Sequence, residues 1–368
     1  MRDTPDPAWS VDEGDIEALE IGAGILGTGG GGNPYIGKLR AREVLRTGHA
    51  MRVLPLEALA DDARVMALGG IGAPLISFER IKEGSEGLRC LRAMEAHTGR
   101  RIDAIACAEI GGQNAMEPLI VAALAGLPVV DGDGMGRAFP EMQMNTFSIY
   151  GHRSTPSVMC DLHGNVVVFE HAVSELWHER MARACVIAQG GSSVLAEAPM
   201  TGAFVRRHAV PGTYGQAIRL GRAVMSARAG HGDPVATVLA REGGTMLMTA
   251  KIVDLDRITR GGFNHGIARL EGVDDFAGAA GRITIQNEYL ICHRDGEVAA
   301  AVPDLVIVLD LDTGLPITTE LLRYGQRVAV IALPCHPLLS STEALEVIGP
   351  AAFGYPEISY RPLQRSAP

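Results

Sequence analysis

Three carboxylates stand close together where an apolar run ends: Asp131, Asp133 and Glu141, in the stretch VVDGDGMGRAFPEMQM, with Arg137 among them as a candidate partner. Carboxylates that share a cleft can separate their proton affinities and serve as acid and base, or can hold a hard divalent cation. The plainer use of such residues is a glycine-rich turn with solvated aspartates. A fourth carboxylate, Glu109, ends the apolar stretch IDAIACAEI and precedes GGQNAMEP, where Gln113 and Asn114 meet the start of a predicted helix. That start offers backbone donors and a favourable dipole to an anion or a developing oxyanion, although Asn114 could simply cap the helix.

A second glycine-rich stretch, GTGGGGNPY, supplies Gly29, Gly30, Gly31 and Gly32, then Asn33 as a cap and Pro34 at the first helical position. It lacks the GK[ST] ending of a phosphate-binding loop and follows a predicted helix rather than a strand, so no nucleotide is expected. A substrate carboxylate or carbonyl at the helix start fits better. Two Cys-His pairs, Cys292-His293 and Cys335-His336, join a thiol to an imidazole, but neighbours in a strand point to opposite faces. For a divalent metal, the candidate ligands are Asp131, Asp133 and His336.

These residues need a scaffold. EGDIEALEIGAGIL has helical spacing, and after the glycine run strands alternate with helices through LPVV, which predicts an α/β domain with a mostly parallel sheet. In such a sheet ligands collect beyond the carboxyl ends of the strands, and the ends holding Glu109 and Asp131 are one strand-helix-strand unit apart. SVMCDLHGNVVVFEHA reads as a hairpin, and several helices follow. From about residue 244 the chain is strand upon strand, with GRITIQNEYLICH and EVAAAVPDLVIVLDL each read as one stretch. We divide the chain into residues 1–170, the α/β domain with the glycine and carboxylate motifs, and 171–368, a helical lead-in, a β-rich domain and a tail.

The length of 368 residues suits two domains packed together, and 47% hydrophobic with 21% charged residues is the balance of a folded globular chain. A net charge of −10 without a basic run argues against nucleic acid. No apolar stretch is long enough for a bilayer, the N-terminus is unlike a signal peptide, and the six cysteines lack CxxC spacing. A cytoplasmic protein with reduced thiols is expected, and self-association follows from base rates for such a protein.

ILGTGGGGNPY, EIGGQNAMEP, VVDGDGMGRAFPEMQM and the terminal EVIGPAAFGY, in that order, resemble the S-methyl thiohydantoin desulfurase family, whose genes often lie beside those of hydantoinases and oxoprolinases. The resemblance runs from about residue 12 to residue 360. It implies an α/β domain, a second domain similar to swivelling β/β/α domains, and hydrolysis of a 2-(methylthio)imidazolone ring, or a thioxo ring, to a hydantoin. It also allows association with hydantoinase-type subunits. In that chemistry Asp131 or Asp133 would be base or metal ligand and Glu141 the second carboxylate. Glu109 would touch a ring N–H, and the glycine loop with Asn33, Gln113 and Asn114 would recognise the ring carbonyl. The competing expectations are a subunit of a ring-opening enzyme and a binding protein without turnover; concentrated carboxylates favour an enzyme over a passive binder of a neutral ring.

Overall fold

The computed structural model describes residues 7–72, 76 and 83–364. The first helix, α1 (Glu13–Leu26), starts with a capping box between Asp12 and Asp15. The glycine run then leads into α2 (Pro34–Arg46), where Asn33 Oδ1 accepts the Tyr35 N–H at 2.9 Å and Pro34 sits where its missing donor costs nothing.

The first sheet has a parallel centre, β2 (Met51–Leu54), β5 (Val129–Asp133), β4 (Ala104–Cys107) and β3 (Arg64–Gly72), in that spatial order. β1 (Trp9–Val11) adds antiparallel to β2 at one side. At the other, β8 (Ser192–Ala196) pairs antiparallel with β3 and is followed by the hairpin β6 (Ser157–Cys160) and β7 (Val166–Phe169). The short strands β9 (Met200–Thr201) and β10 (Val210–Pro211) pair with β3 and β5. Chain beyond residue 170 therefore returns to complete the first sheet, which the alternation of strands and helices does not reveal.

Both faces of this sheet are covered, as the unbroken apolar character of its parallel strands requires. Met66, Leu68, Ile105 and Cys107 face α1 and the helices α3 (Glu86–Thr98) and α4 (Met116–Ala125). Val65, Ala67, Ala104 and Ala106 pack on the other side with Phe147 of α5 (Thr146–Ile149) and Val205 of α7 (Gly202–His208). The intervening α6 (Glu175–Ala188) lies over β6 and β8 through Ala182 and Val186.

After α8 (Thr213–Ala229) and α9 (Pro234–Glu242), the chain forms a curled, wholly antiparallel second sheet. Its strands are β11 (Thr245–Arg260), β12 (Phe263–Gly272), β13 (Ala280–Gln286), β14 (Glu288–Arg294), β15 (Glu297–Ala301), β16 (Leu305–Asp310) and β17 (Arg327–Leu333). The two stretches read as single strands are each broken in two. At Asn287, φ is 55°, a left-handed conformation that asparagine tolerates, and the chain turns back so that Gln286 pairs with Glu288.

The two sheets are joined by one core. Leu290, Ile291, Ile307 and Ile331 of the second sheet belong to the same apolar cluster as Ile16 and Leu19 of α1. Within it, α1 and α8 touch backbone to backbone. A Cβ on Gly22 would lie 1.8 Å from the Ala217 carbonyl oxygen, and one on Gly221 would lie 1.8 Å from that of Ala18.

Candidate active site

A cleft opens where the rim of the first sheet meets the turn at Asn287. Its walls come from Leu68–Gly72 of β3, Ala108, Glu109, Gln113 and Asn114, the segment 139–142, Leu195 of β8 and Glu197 just after it, and Asn287 with Glu288 from the second sheet. Among the described residues, four carboxyl groups line it: Glu109, Glu141, Glu197 and Glu288.

Glu109 lies two residues past the end of β4 and is buried. Asn114 Nδ2 donates to its Oε1, and the Phe139 N–H donates to Oε2 at 3.2 Å. Desolvation outweighs these donors and pushes its carboxyl up to about 7. Burial likewise pushes Glu197 up to about 8, helped by the negative charge of nearby Glu175. Burial also raises half-buried Glu141, whose Oε2 accepts from Gln143. Glu288 is raised well above the ordinary carboxylate range, by burial first and by the charge of Glu109 second.

The other polar side chains of the lining, among the described residues, are Gln113, Asn114, Asn287, Ser192 and Arg183. Asn114 does not cap the helix as the plainer reading held. Its Oδ1 accepts the Gly70 N–H at 2.8 Å while its Nδ2 serves Glu109, tying the end of β3 to the acid. The Gln113 side chain, 4% exposed, lines the cleft without a hydrogen-bond partner among the described residues. Arg183 also lines the cleft. Its Nε bonds Glu179 at 2.7 Å, its Nη2 bonds the Pro140 carbonyl at 3.1 Å, and its plane lies 4.5 Å from the Phe263 ring.

Several residues singled out from the sequence do other work. Asp133 is fully buried and sits outside the lining of the cleft, its Oδ2 accepting the N–H groups of Ile110, Met135 and Gly136 at 2.9, 3.1 and 2.9 Å. It holds the two rim loops together, and burial pushes its carboxyl up to about 7. Asp131 faces away, its Oδ1 accepting the N–H groups of Tyr214 and Gly215 at the start of α8 at 3.0 and 3.2 Å. Arg137 is fully buried as a staple between the sheets. It donates to Ala138 O, Pro303 O, Asp304 O, Tyr289 O and Thr28 Oγ1, so it presents nothing to a ligand.

Of the glycine loop, Gly31 and Gly32 line the cleft, whereas Gly29 and Gly30 lie against Tyr289 and Glu288 and Asn33 caps α2. The Gln113 and Asn114 N–H groups, expected to face an anion, donate to the Gly32 and Gly31 carbonyls at 3.1 and 3.2 Å. His336 caps the turn 337–339 and borders a different cavity with Gly136 and Val210. Asp131, Asp133 and His336 thus do not form a metal centre, and among the described residues no three His, Cys, Asp or Glu side chains gather as one. The cysteines of both Cys-His pairs are buried thiols, each pushed up to about 12 by burial.

The sequence reading missed Glu197 and Glu288. Glu197 follows a strand that pairs with β3 across a long sequence separation. Glu288 emerges only if the chain turns at Asn287, for which the one available signal is an asparagine interrupting an apolar alternation.

Comparison with known proteins bears on this arrangement. The S-Me-THD-like N-terminal domain family matches residues 14–171, and the S-Me-THD-like C-terminal domain family matches residues 173–363. The chain belongs to the S-Me-THD-like family. No curated protein matches it. A crystal structure of a protein from Chromobacterium violaceum, 23% identical, superposes with a TM-score of 0.78 over 97% of this chain and 100% of that one, which places this fold among known structures. The cleft draws its lining from both matched regions of the S-Me-THD-like chain: Glu109 and Glu141 from the first, Glu197 and Glu288 from the second. No helix among the described residues is long and apolar enough to cross a membrane.

Proposed function

We propose that this S-Me-THD-like protein is a hydrolase that removes methanethiol, or sulfide, from a five-membered S-methyl thiohydantoin or thiohydantoin ring and leaves a hydantoin. The observation that carries the reading is Glu109, a buried carboxyl poised near neutrality in an interdomain cleft, with the Gln113 amide, unpartnered among the described residues, lining the same space. A general base works best with a pKa near the working pH, and a free carboxamide matches the alternating N–H and C=O edge of such a ring. Met135, Phe139, Met142 and Leu195 supply apolar surface for the ring faces and the S-methyl group.

In the reaction, Glu109 takes a proton from the attacking water as its oxygen bonds to C2 of the ring, and the C2=N electron pair moves onto nitrogen. Gln113 holds the ring edge in plane for that attack. The nitrogen then takes the proton back, leaving a neutral tetrahedral adduct that carries both hydroxyl and thioether. The test is methanethiol release from an S-methyl thiohydantoin by the purified protein, with and without a chelator. Turnover in both samples is expected. Absence of turnover in both would overturn the reading, and loss on chelation alone would replace the carboxylate base by a metal-held hydroxide.

A further inference from the structure

Collapse of the tetrahedral adduct needs a proton for the departing sulfur, and the second sheet provides a group without another occupation. Glu288 is 2% exposed, yet no other described residue hydrogen-bonds its carboxyl, and its Oε2 is buried without a partner. A carboxyl in that position costs folding free energy and returns nothing to the structure. Its placement is nonetheless defined. The left-handed turn at Asn287, fixed by reciprocal bonds with Asn264 (Asn287 N to Asn264 O, 2.7 Å; Asn264 N to Asn287 Oδ1, 2.8 Å), aims the next residue at the cleft. Gly30 leaves room for it, since a Cβ there would fall 1.9 Å from Glu288 Oε1.

We propose that Glu288 is the general acid that protonates the leaving sulfur, paired across the domain junction with Glu109 as base. This rests on the hydrolase reading given above. The groups acting on Glu288 are Glu109, which raises its proton affinity, and Arg137, its own backbone N–H and Arg183, which lower it; burial outweighs these three and favours the protonated carboxyl. Starting from Glu109 ionised and Glu288 protonated, the adduct hydroxyl gives its proton to Glu109 as C2=O forms. The C2–S bond breaks, and the sulfur leaves with the proton of Glu288. One proton passed from Glu109 to Glu288 restores the starting state, so the cycle consumes water and no other reagent.

The experiment compares wild type and Glu288→Gln on two substrates that differ in the leaving group, S-methyl and S-trifluoroethyl, the second releasing a far less basic thiolate. The expected result is a kcat for Glu288→Gln reduced by roughly 100-fold or more on the S-methyl ring, much less on the S-trifluoroethyl ring, with KM and hydantoin binding retained. Equal losses on both substrates, or none, would overturn the role of Glu288 while leaving the hydrolase reading intact. A wild type inactive on both would overturn the two together. Should Glu288→Gln not fold, Glu288→Asp, which keeps the proton on a shorter arm, is put through the same comparison, and a leaving-group-independent loss would count against the proposal.

Discussion

Asp131 and Asp133 at the end of β5 and Glu109 and Glu288 in the cleft are two carboxyl pairs of similar chemistry with opposite employment. The aspartates are committed to the backbone: five N–H groups converge on one oxygen of each, closing loops and starting a helix, although the second oxygen of Asp133 is buried without a partner among the described residues. The glutamates line the cleft, Glu109 with one donor on each oxygen and Glu288 with its Oε2 unpartnered among the described residues. A raised pKa alone does not separate the pairs, because burial pushes both Asp133 and Glu109 up to about 7. What separates them is whether an oxygen faces a space that a ligand can fill.

The sharpest way to break this comparison is to remove one member of each pair. Glu109→Gln is expected to lower turnover by roughly 100-fold to 10,000-fold at a stability cost of about 1–2 kcal/mol, because the amide keeps the volume and one acceptor but leaves one donor, Asn114 or Phe139, unpaired. Asp133→Ala should do the reverse in kind. It strands three buried donors and is expected to cost about 3 kcal/mol or more in urea unfolding. An Asp133→Ala protein as stable as wild type would put the aspartate back among the reactive groups.

The pH dependence of stability sharpens the contrast next. Glu197 has a folded pKa near 8 against an ordinary value of 4.5, so between those pH values the folded state holds a proton that the unfolded chain has lost. Its contribution is complete below about 4.5 and is lost as pH rises through about 8. Glu197→Gln should therefore flatten the decline of melting temperature across that window, and an unchanged slope would show that Glu197 is ionised in the fold. The smallest expected effect is for Asp131→Asn, where the amide oxygen can still accept from Tyr214 and Gly215. A loss of about 0.5–1 kcal/mol and unaltered kcat are expected, from weaker interaction with the α8 terminus.

Local features were legible in the sequence where local physics governs them. The Asn33 cap with Pro34, α1, the hairpin around residue 164 and the α8 and α9 helices all follow from side-chain type and short-range periodicity. The parallel arrangement of β4 and β5 was likewise implied by the strand-helix-strand alternation, and Glu109 reaches the cleft. Pairings between distant segments were not legible. Nothing near Ser192–Ala196 announces that it joins β3, so Glu197 carried no signal, and a single left-handed asparagine decides whether Glu288 faces a ligand or solvent. Arg137 and Asp133 misled because a cluster of charges near a strand end looks alike whether its bonds go to substrate or to backbone.

The crossing of α1 and α8 at Gly22 and Gly221 has a bearing on which substitutions the core tolerates. With two backbones already in contact, the spacing of these two helices is set by peptide groups rather than by compliant side chains, and a side chain at either glycine would push them apart. Gly22→Ala or Gly221→Ala would therefore be felt first in the shared core that α1 and α8 enter, before any residue of the cleft is displaced.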